Sequence, residues 1–341
     1  MASHWTEEVK ARVDTRLAKF FEEKLTQAHG LSPRAAELVT AVQELTMRGG
    51  KRLRPAVLFA GYRAVSAAGD AERVSDACAA LELLQSYFLV QDDWMDGDEE
   101  RRGGPAVHVS LTRKYKNPQL GANLAILASD LAAGFAFELL HRVPLPAARL
   151  HETFAAFTAM HFEVVCGQQL DLLEHADTQL THHLKTGSYT VRGPLRLGAL
   201  LGDASAAQLS ALEHFGTPLG VAFQLRDDLL GSFGDPSTTG KPAGHDLREG
   251  KNTALIADAR LTLAPDAWAK LEKVLGRAAA STADLAAATA LLQSSGVRAR
   301  VEARLASLFT AASQALDGAP LTSEGTGMLR ELLARLSMRD R

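Results

Sequence analysis

The sequence predicts an all-α protein. Long segments rich in Ala and Leu repeat apolar residues at intervals of three and four, the pattern of helices with one buried face. Alternating Val/Ile/Thr-rich runs closed by Asn-Gly or Asp-Gly turns, the mark of hairpins, are hard to find. With 46% apolar against 23% charged residues in a chain of 341, there is enough apolar side chain for a large helical core.

Helices are expected over Ala71–Asp96, Gln119–Arg142, Leu150–Leu173 and Ala206–Leu230. The first carries the run Leu81–Val90 straight into an acidic cluster. The apolar stretch Leu120–Leu140 is interrupted by Asn123, Asp130 and Glu138, which makes it a poor membrane span and a good buried helix. Gly/Pro punctuation falls at Gly49–Pro55, Gly97–Pro105, Val143–Pro146, Gly231–Gly250 and Gly318–Gly327. Most of these gaps are too short to link independent domains, so a single domain over 1–341 is expected. Gly231–Gly250 is the exception. A stretch of about twenty residues with little periodicity inside a compact domain is a functional loop.

The bulk chemistry excludes several classes. A net charge of −3 gives no long-range attraction to nucleic acid or to an anionic membrane, so any anion bound here meets a local cationic patch. Cys78 and Cys166 lack the paired spacing of a zinc site or a redox dithiol, and the first ten residues carry acids and no apolar run, so a cytoplasmic protein is expected.

The chemistry concentrates in two acidic clusters. Asp92, Asp93 and Asp96 close the first apolar helix, and on a helix Asp92 and Asp96 are i and i+4, stacked on one face where they repel unless a cation lies between them. Magnesium suits such a pair, because it takes one or two carboxylates and completes its octahedron with water and phosphate oxygens. A lone cluster of this kind is as readily a solvated helix end. A second, Asp227-Asp228, also preceded by an apolar helical run, makes that explanation weaker. Cations come in matching pieces at Lys51, Arg52 and Arg54, at Arg101-Arg102, at Lys185, and at Lys241 and Lys251. Arg offers bidentate donors and Lys a point charge, and both suit diphosphate oxygens. The stretch Gly234 to Pro242 imitates a nucleotide P-loop, but it has one residue too many between its glycines and a proline where Ser or Thr would ligate magnesium.

Taken together, these residues resemble the trans-isoprenyl diphosphate synthase family. The landmarks occur in the family order: Gly-Gly-Lys-x-x-Arg-Pro at 49–55, Asp-Asp-x-x-Asp at 92–96 with Arg101-Arg102-Gly103, Gly167-Gln168 with Asp171, Lys185-Thr186, Phe223-Gln224 before Asp227-Asp228, and Gly240-Lys241 with Asp246. The resemblance implies the isoprenoid (terpene) synthase fold, a large helical bundle around a diphosphate-binding cavity, and a homodimer. It implies a head-to-tail condensation of isopentenyl diphosphate with an allylic diphosphate, dimethylallyl or geranyl. It also implies three magnesium ions (Mg2+), replaceable by manganese (Mn2+), held by Asp92, Asp96 and Asp227. Arg101, Lys185 and Lys241 would stabilise the departing diphosphate, Thr186 and Gln224 the allylic cation, and Lys51, Arg54, Gln85 and Arg102 would bind isopentenyl diphosphate. One position departs from the pattern. The second cluster ends in Gly231 where the family usually has a third Asp, which predicts retuned metal affinity, with Asp235 or Asp246 available to compensate.

Chain length follows from helix geometry. Residues four and five positions before Asp92, Phe88 and Tyr87, lie ~6 to 7.5 Å below the metal site on nearly the same face. Two rings there predict early closure and farnesyl diphosphate as product; geranylgeranyl or geranyl diphosphate is the alternative if both rings are ordinary core. A terpene cyclase would share the fold but has no need of the Gly-Gly-Lys-x-x-Arg-Pro segment, and a non-catalytic subunit of a heteromeric synthase is suggested only by Gly231.

Overall fold

The computed structural model describes residues 4–67, 69–173, 175, 177–235 and 244–337. They are helical almost throughout, as the periodicity predicts. The chain forms α1 (His4–Leu31), α2 (Pro33–Met47), α3 (Leu53–Val65), α4 (Ser75–Asp96), α5 (Val107–Tyr115), α6 (Pro118–His141), α7 (Ala147–Leu172), α8 (Thr178–His182), α9 (Gly193–Leu201) and α10 (Ala206–Phe233). It continues with α11 (His245–Glu249), α12 (Ala254–Thr262), α13 (Pro265–Glu272), α14 (Thr282–Ser294), α15 (Val297–Ala315) and α16 (Ser323–Ser337).

Local chemistry sets many of the starts. Ser32 and Asn117 cap α2 and α6, each with a proline at the first helical position, and Ser205 with Gln208 forms a capping box on α10. α4 stops at Gly97, which takes the left-handed conformation (φ 71°) that a helix end of this type requires.

The contacts divide the chain into two compact units, 1–155 with 197–203 and 156–196 with 204–341. Two of the three crossings fall inside continuous helices, α7 and α9, and the third lies in the short turn between α9 and α10. In the first unit Leu81, Leu83 and Leu84 of α4 are fully buried, together with Phe20 and Phe21 of α1, Leu45 of α2 and Leu58 of α3. α6 buries Ala125, Ala128, Ala132, Ala136 and Leu139, while Leu120, Ile126 and Leu127 on the same helix are exposed. By length and composition alone α6 would reach across a membrane. In the second unit Ala222 and Leu225 of α10 share a core with Leu255 and Ile256 of α12, Leu292 of α14 and Val301 of α15.

Three local features depart from the sequence reading. Glu100–Arg101 pairs with Gly104–Pro105 as a two-residue hairpin that no strand pattern announced. His183–Arg192 winds as a π-helix. The expected loop Gly231–Gly250 is shorter than predicted: α10 runs on through Phe233 and α11 begins at His245.

Candidate functional site

In the first unit the acidic motif forms the last turn of α4. The helix dipole is negative there, so carboxylates are disfavoured at that end unless a cation accompanies them. The three aspartates divide their labour. Asp93 is fully buried and accepts from Arg101 Nε at 2.7 Å, whereas Asp92 is half-buried and Asp96 exposed. Burial pushes the Asp93 carboxyl up to about 6 even with Arg101 donating to it, and its Oδ2 has no hydrogen-bond partner. Asp93 is therefore an anchor for Arg101, while Asp92 and Asp96 keep more of their surface exposed.

The hairpin then separates two adjacent arginines. Its turn residues, Arg102 (φ 53°) and Gly103 (φ 70°), both take positive φ, the requirement of a two-residue type I′ turn. Arg101 points to the end of α4, bonding Asp93 and, at 2.8 Å, Asp98. Arg102 points to the end of α2, donating to the Leu45 carbonyl at 3.4 Å with Glu82 at 4.0 Å. Arg48 straps the hairpin down through the carbonyls of Pro105 (2.7 Å) and Arg101 (3.3 Å). Lys51, Arg54 and Gln85 lie in this unit too, on the 49–52 loop, the start of α3 and the middle of α4. Lys51 is exposed and the other two half-buried. Tyr87 is buried, and its ring packs on Phe88 with centroids 4.8 Å apart.

In the second unit the other cluster repeats the division. Asp228 is buried, accepting from Gln224 Nε2 at 2.7 Å and from the first backbone N–H of α12, Ala254, at 2.8 Å. It caps a helix. Asp227 is the half-buried member of the pair. Gln224, predicted to face the allylic cation, thus has its amide nitrogen committed to Asp228. Lys185 and Thr186 sit in the π-helix, a form that gathers at functional sites because it breaks the helical register. Lys185 Nζ reaches Asp171 of α7 at 2.7 Å.

Two close approaches need glycine. A Cβ on Gly167 would press into the backbone of Leu184 and Lys185 (2.8 Å and 2.7 Å to their C and Cα), and one on Gly220 of α10 would lie 3.1 Å from the Gly187 carbonyl. Gln168, beside Gly167, keeps a buried Nε2 with no hydrogen-bond partner.

The Gly231 departure acquires a physical reading. A Cβ built on Gly231 would fall inside the Asp246 carboxylate, 2.9 Å from even its farther oxygen. The acid missing at 231 is replaced in space by one from α11. Lys241 and Gly240, predicted with this segment, lie outside the described residues.

The donor set fits magnesium. Among the described residues no group of three or more His, Cys, Asp or Glu is placed to hold a metal ion. The i, i+4 carboxylates Asp92 and Asp96 suit an ion that takes one or two carboxylates and leaves its other positions to water and phosphate. The signals that sequence reasoning passed over were the buried second acid of each pair and the Gly-Gly stretch at 103–104 that permits the hairpin.

These features define an all-α protein of the isoprenoid synthase fold, with cationic and carboxylate groups suited to diphosphate esters. Residues 35–292 match the model of the polyprenyl synthetase family, and the chain belongs to that family. It is 35% identical over 246 residues to the short chain isoprenyl diphosphate synthase of Methanocaldococcus jannaschii, covering 70% of this chain and 71% of that one. It is 36% identical over 258 residues to the geranylgeranyl diphosphate synthase of Sulfolobus acidocaldarius, covering 73% and 74%. A crystal structure of geranylgeranyl pyrophosphate synthase from Corynebacterium glutamicum, complexed with isoprenyl diphosphate and magnesium, superposes with a TM-score of 0.90 at 33% identity over 97% of this chain and 99% of that one. The protein is accordingly a trans-prenyltransferase of isoprenoid biosynthesis, from a family whose substrates are isopentenyl diphosphate and an allylic diphosphate.

Proposed function

We propose that this enzyme condenses isopentenyl diphosphate with dimethylallyl and geranyl diphosphate, in the presence of magnesium, to give farnesyl diphosphate. The observation that carries this reading is the hairpin, which sends Arg101 to the acidic end of α4 and Arg102 to the end of α2. Two differently addressed guanidiniums suit two diphosphates with different needs. One is a leaving group beside metal-binding carboxylates; the other is a spectator held by cations alone.

Asp92, Asp96 and Asp227 would hold magnesium, which when bound draws charge from the allylic diphosphate and makes it a leaving group. The occlusion of Gly231 by Asp246 supports Asp246 as the acid that makes up the second cluster. Arg101, aligned by Asp93, donates to the diphosphate as its C1–O bond breaks, and Lys185 and Lys241 add positive charge there. Thr186 and Gln224 offer oxygen dipoles to the allylic cation. Lys51, Arg54, Gln85 and Arg102 orient isopentenyl diphosphate so that its terminal alkene carbon bonds to that C1. The positive charge then rests on C3 of isopentenyl diphosphate, and C2 beside it loses a proton to the released diphosphate, the electron pair of that C–H bond forming the new C2–C3 double bond.

The Tyr87–Phe88 pair beneath Asp92 supports chain closure at fifteen carbons. Geranylgeranyl diphosphate is the second reading, favoured by the names of the S. acidocaldarius and C. glutamicum relatives. Exposed Leu120, Ile126 and Leu127 on α6 support pairing with a second copy of the chain. The test is to incubate purified protein with magnesium, isopentenyl diphosphate and each allylic primer in turn, and to measure product length. A dominant C15 product is expected, and a dominant product of twenty carbons or more would refute the two-ring stop.

A further inference from the structure

The first unit contains an ionic chain that ends on Arg102 and whose other members, Asp14, Arg52 and Glu82, have no part in the reaction above. Arg52, the fourth residue of the Gly-Gly-Lys-Arg segment, is only 2% exposed. Its guanidinium bonds Asp14 of α1 (Nε to Oδ1, 2.8 Å), the Thr46 carbonyl that ends α2 (2.9 Å) and Glu82 of α4. Glu82 is 1% exposed; Oε2 accepts from Arg52 and faces Arg102 Nη2 at 4.0 Å, while Oε1 has no hydrogen-bond partner. The charges alternate along the chain Asp14, Arg52, Glu82, Arg102.

The chain also closes on itself. Gly49, Gly50 and Arg52 all take positive φ (90°, 144° and 47°), and for Arg52 this left-handed conformation costs about 1–2 kcal/mol relative to ordinary backbone. The loop so bent brings Gly50 beneath the Arg102 guanidinium, where even a Cβ would lie 3.4 Å from Nη2. Lys51 sits between Gly50 and Arg52. A ring therefore runs from the loop through Arg52 and Glu82 to Arg102 and back to the loop. Buried ion pairs seldom add net stability, because desolvation consumes the Coulomb attraction. A strained backbone held by such a network calls for a role other than stability.

We propose that Arg52 and Glu82 are positioning residues that fix the Arg102 guanidinium and the Lys51 ammonium relative to each other, as a preformed clamp for the diphosphate of isopentenyl diphosphate. This rests on the reading of Lys51 and Arg102 as ligands of that substrate. The clamp is specific to the metal-free diphosphate, since Arg101 is anchored separately by Asp93 and Asp98.

The test uses the full-length enzyme and titrates isopentenyl diphosphate by calorimetry, alongside steady-state KM for each substrate and thermal melting. Simple electrostatics and positioning predict opposite signs for Glu82→Gln. Removing a negative charge 4.0 Å from Arg102 would by itself tighten anion binding, whereas losing the clamp weakens it. We expect the Kd and KM for isopentenyl diphosphate to rise about tenfold, as for loss of one oriented charge-assisted hydrogen bond, with the allylic KM within about twofold of wild type. The double variant Arg52→Gln with Glu82→Gln removes both buried charges and guards against a single variant that folds poorly. It should regain melting temperature while the raised Kd persists.

Tighter or unchanged binding in Glu82→Gln, or recovery of Kd together with melting temperature in the double variant, would overturn the positioning role. Wild-type protein that fails to condense the two substrates would instead overturn the proposed reaction, a result that the calorimetric Kd reads independently of turnover.

Discussion

Gly231 is the position where a substitution that improves the motif should harm the enzyme. Gly231→Asp restores the Asp-x-x-Asp spacing after Asp228 and on pattern alone should strengthen metal binding. In the structure a Cβ at 231 lies 2.9 Å from the farther Asp246 oxygen, inside the ordinary contact distance of ~3.5 Å, and overlaps the nearer one outright. The carboxylate must retreat by roughly an ångström or more, which is large against a magnesium–oxygen bond of about 2.0–2.1 Å. Displacing a supporting ligand of this kind weakens metal binding by about 10–100-fold.

Gly231→Ala separates sterics from charge. Overpacking costs about 1–3 kcal/mol and the helical gain of Ala over Gly returns about 0.5–1 kcal/mol, so a net loss of up to about 2.5 kcal/mol in stability is expected. Gly231→Asp adds like-charge repulsion to the same collision. The assay is a magnesium titration by calorimetry in the presence of inorganic pyrophosphate, with the magnesium dependence of turnover and the melting temperature measured in parallel. Both variants should need more magnesium, Gly231→Asp the more of the two. Tighter magnesium binding by Gly231→Asp, with Gly231→Ala unchanged, would refute the exchange of roles between positions 231 and 246.

Truncating the two rings, Tyr87→Ala with Phe88→Ala, should lengthen the product by at least one five-carbon unit and lower the melting temperature, since Tyr87 is buried. Unchanged length would place the floor elsewhere, for example near Phe157–Met160. Gly167→Ala should cut turnover by about a hundredfold, because its Cβ presses on the backbone that presents Lys185 and a misplacement of about an ångström at a catalytic group is that costly. Near-normal turnover would show that the π-helix tolerates displacement. Away from the site, Arg142 donates to Glu23 and holds its carboxyl down at about 2. Glu23 therefore contributes stability that is fully present above its ordinary value of 4.5 and is lost as pH falls toward 2. Because Glu23 is 40% exposed, the effect is screened to less than about 1 kcal/mol, and melting curves of wild type and Glu23→Gln should converge between pH 5 and 2.5. Parallel curves would remove this pair from the acid response.

The amino-acid sequence by itself determined the helical class, the course of α4, α6, α7 and α10 to within a few residues, and the order of motifs that identifies the family. Those properties are local. Periodicity, caps and prolines act within a turn or two, so the residues that carry them stand together in the chain. Which acid of each pair is buried could not be read that way, because Asp93 and Asp228 are as acidic on paper as Asp92 and Asp227. Their burial depends on Arg101 across the hairpin and on Ala254 at the start of a later helix. Nor does the sequence reveal that Gly231 makes room for Asp246, or that Arg52 is a buried strut while its neighbour Lys51 is exposed. Each of these is settled by a partner distant in the chain, and only the tertiary structure brings such partners within hydrogen-bonding or steric reach.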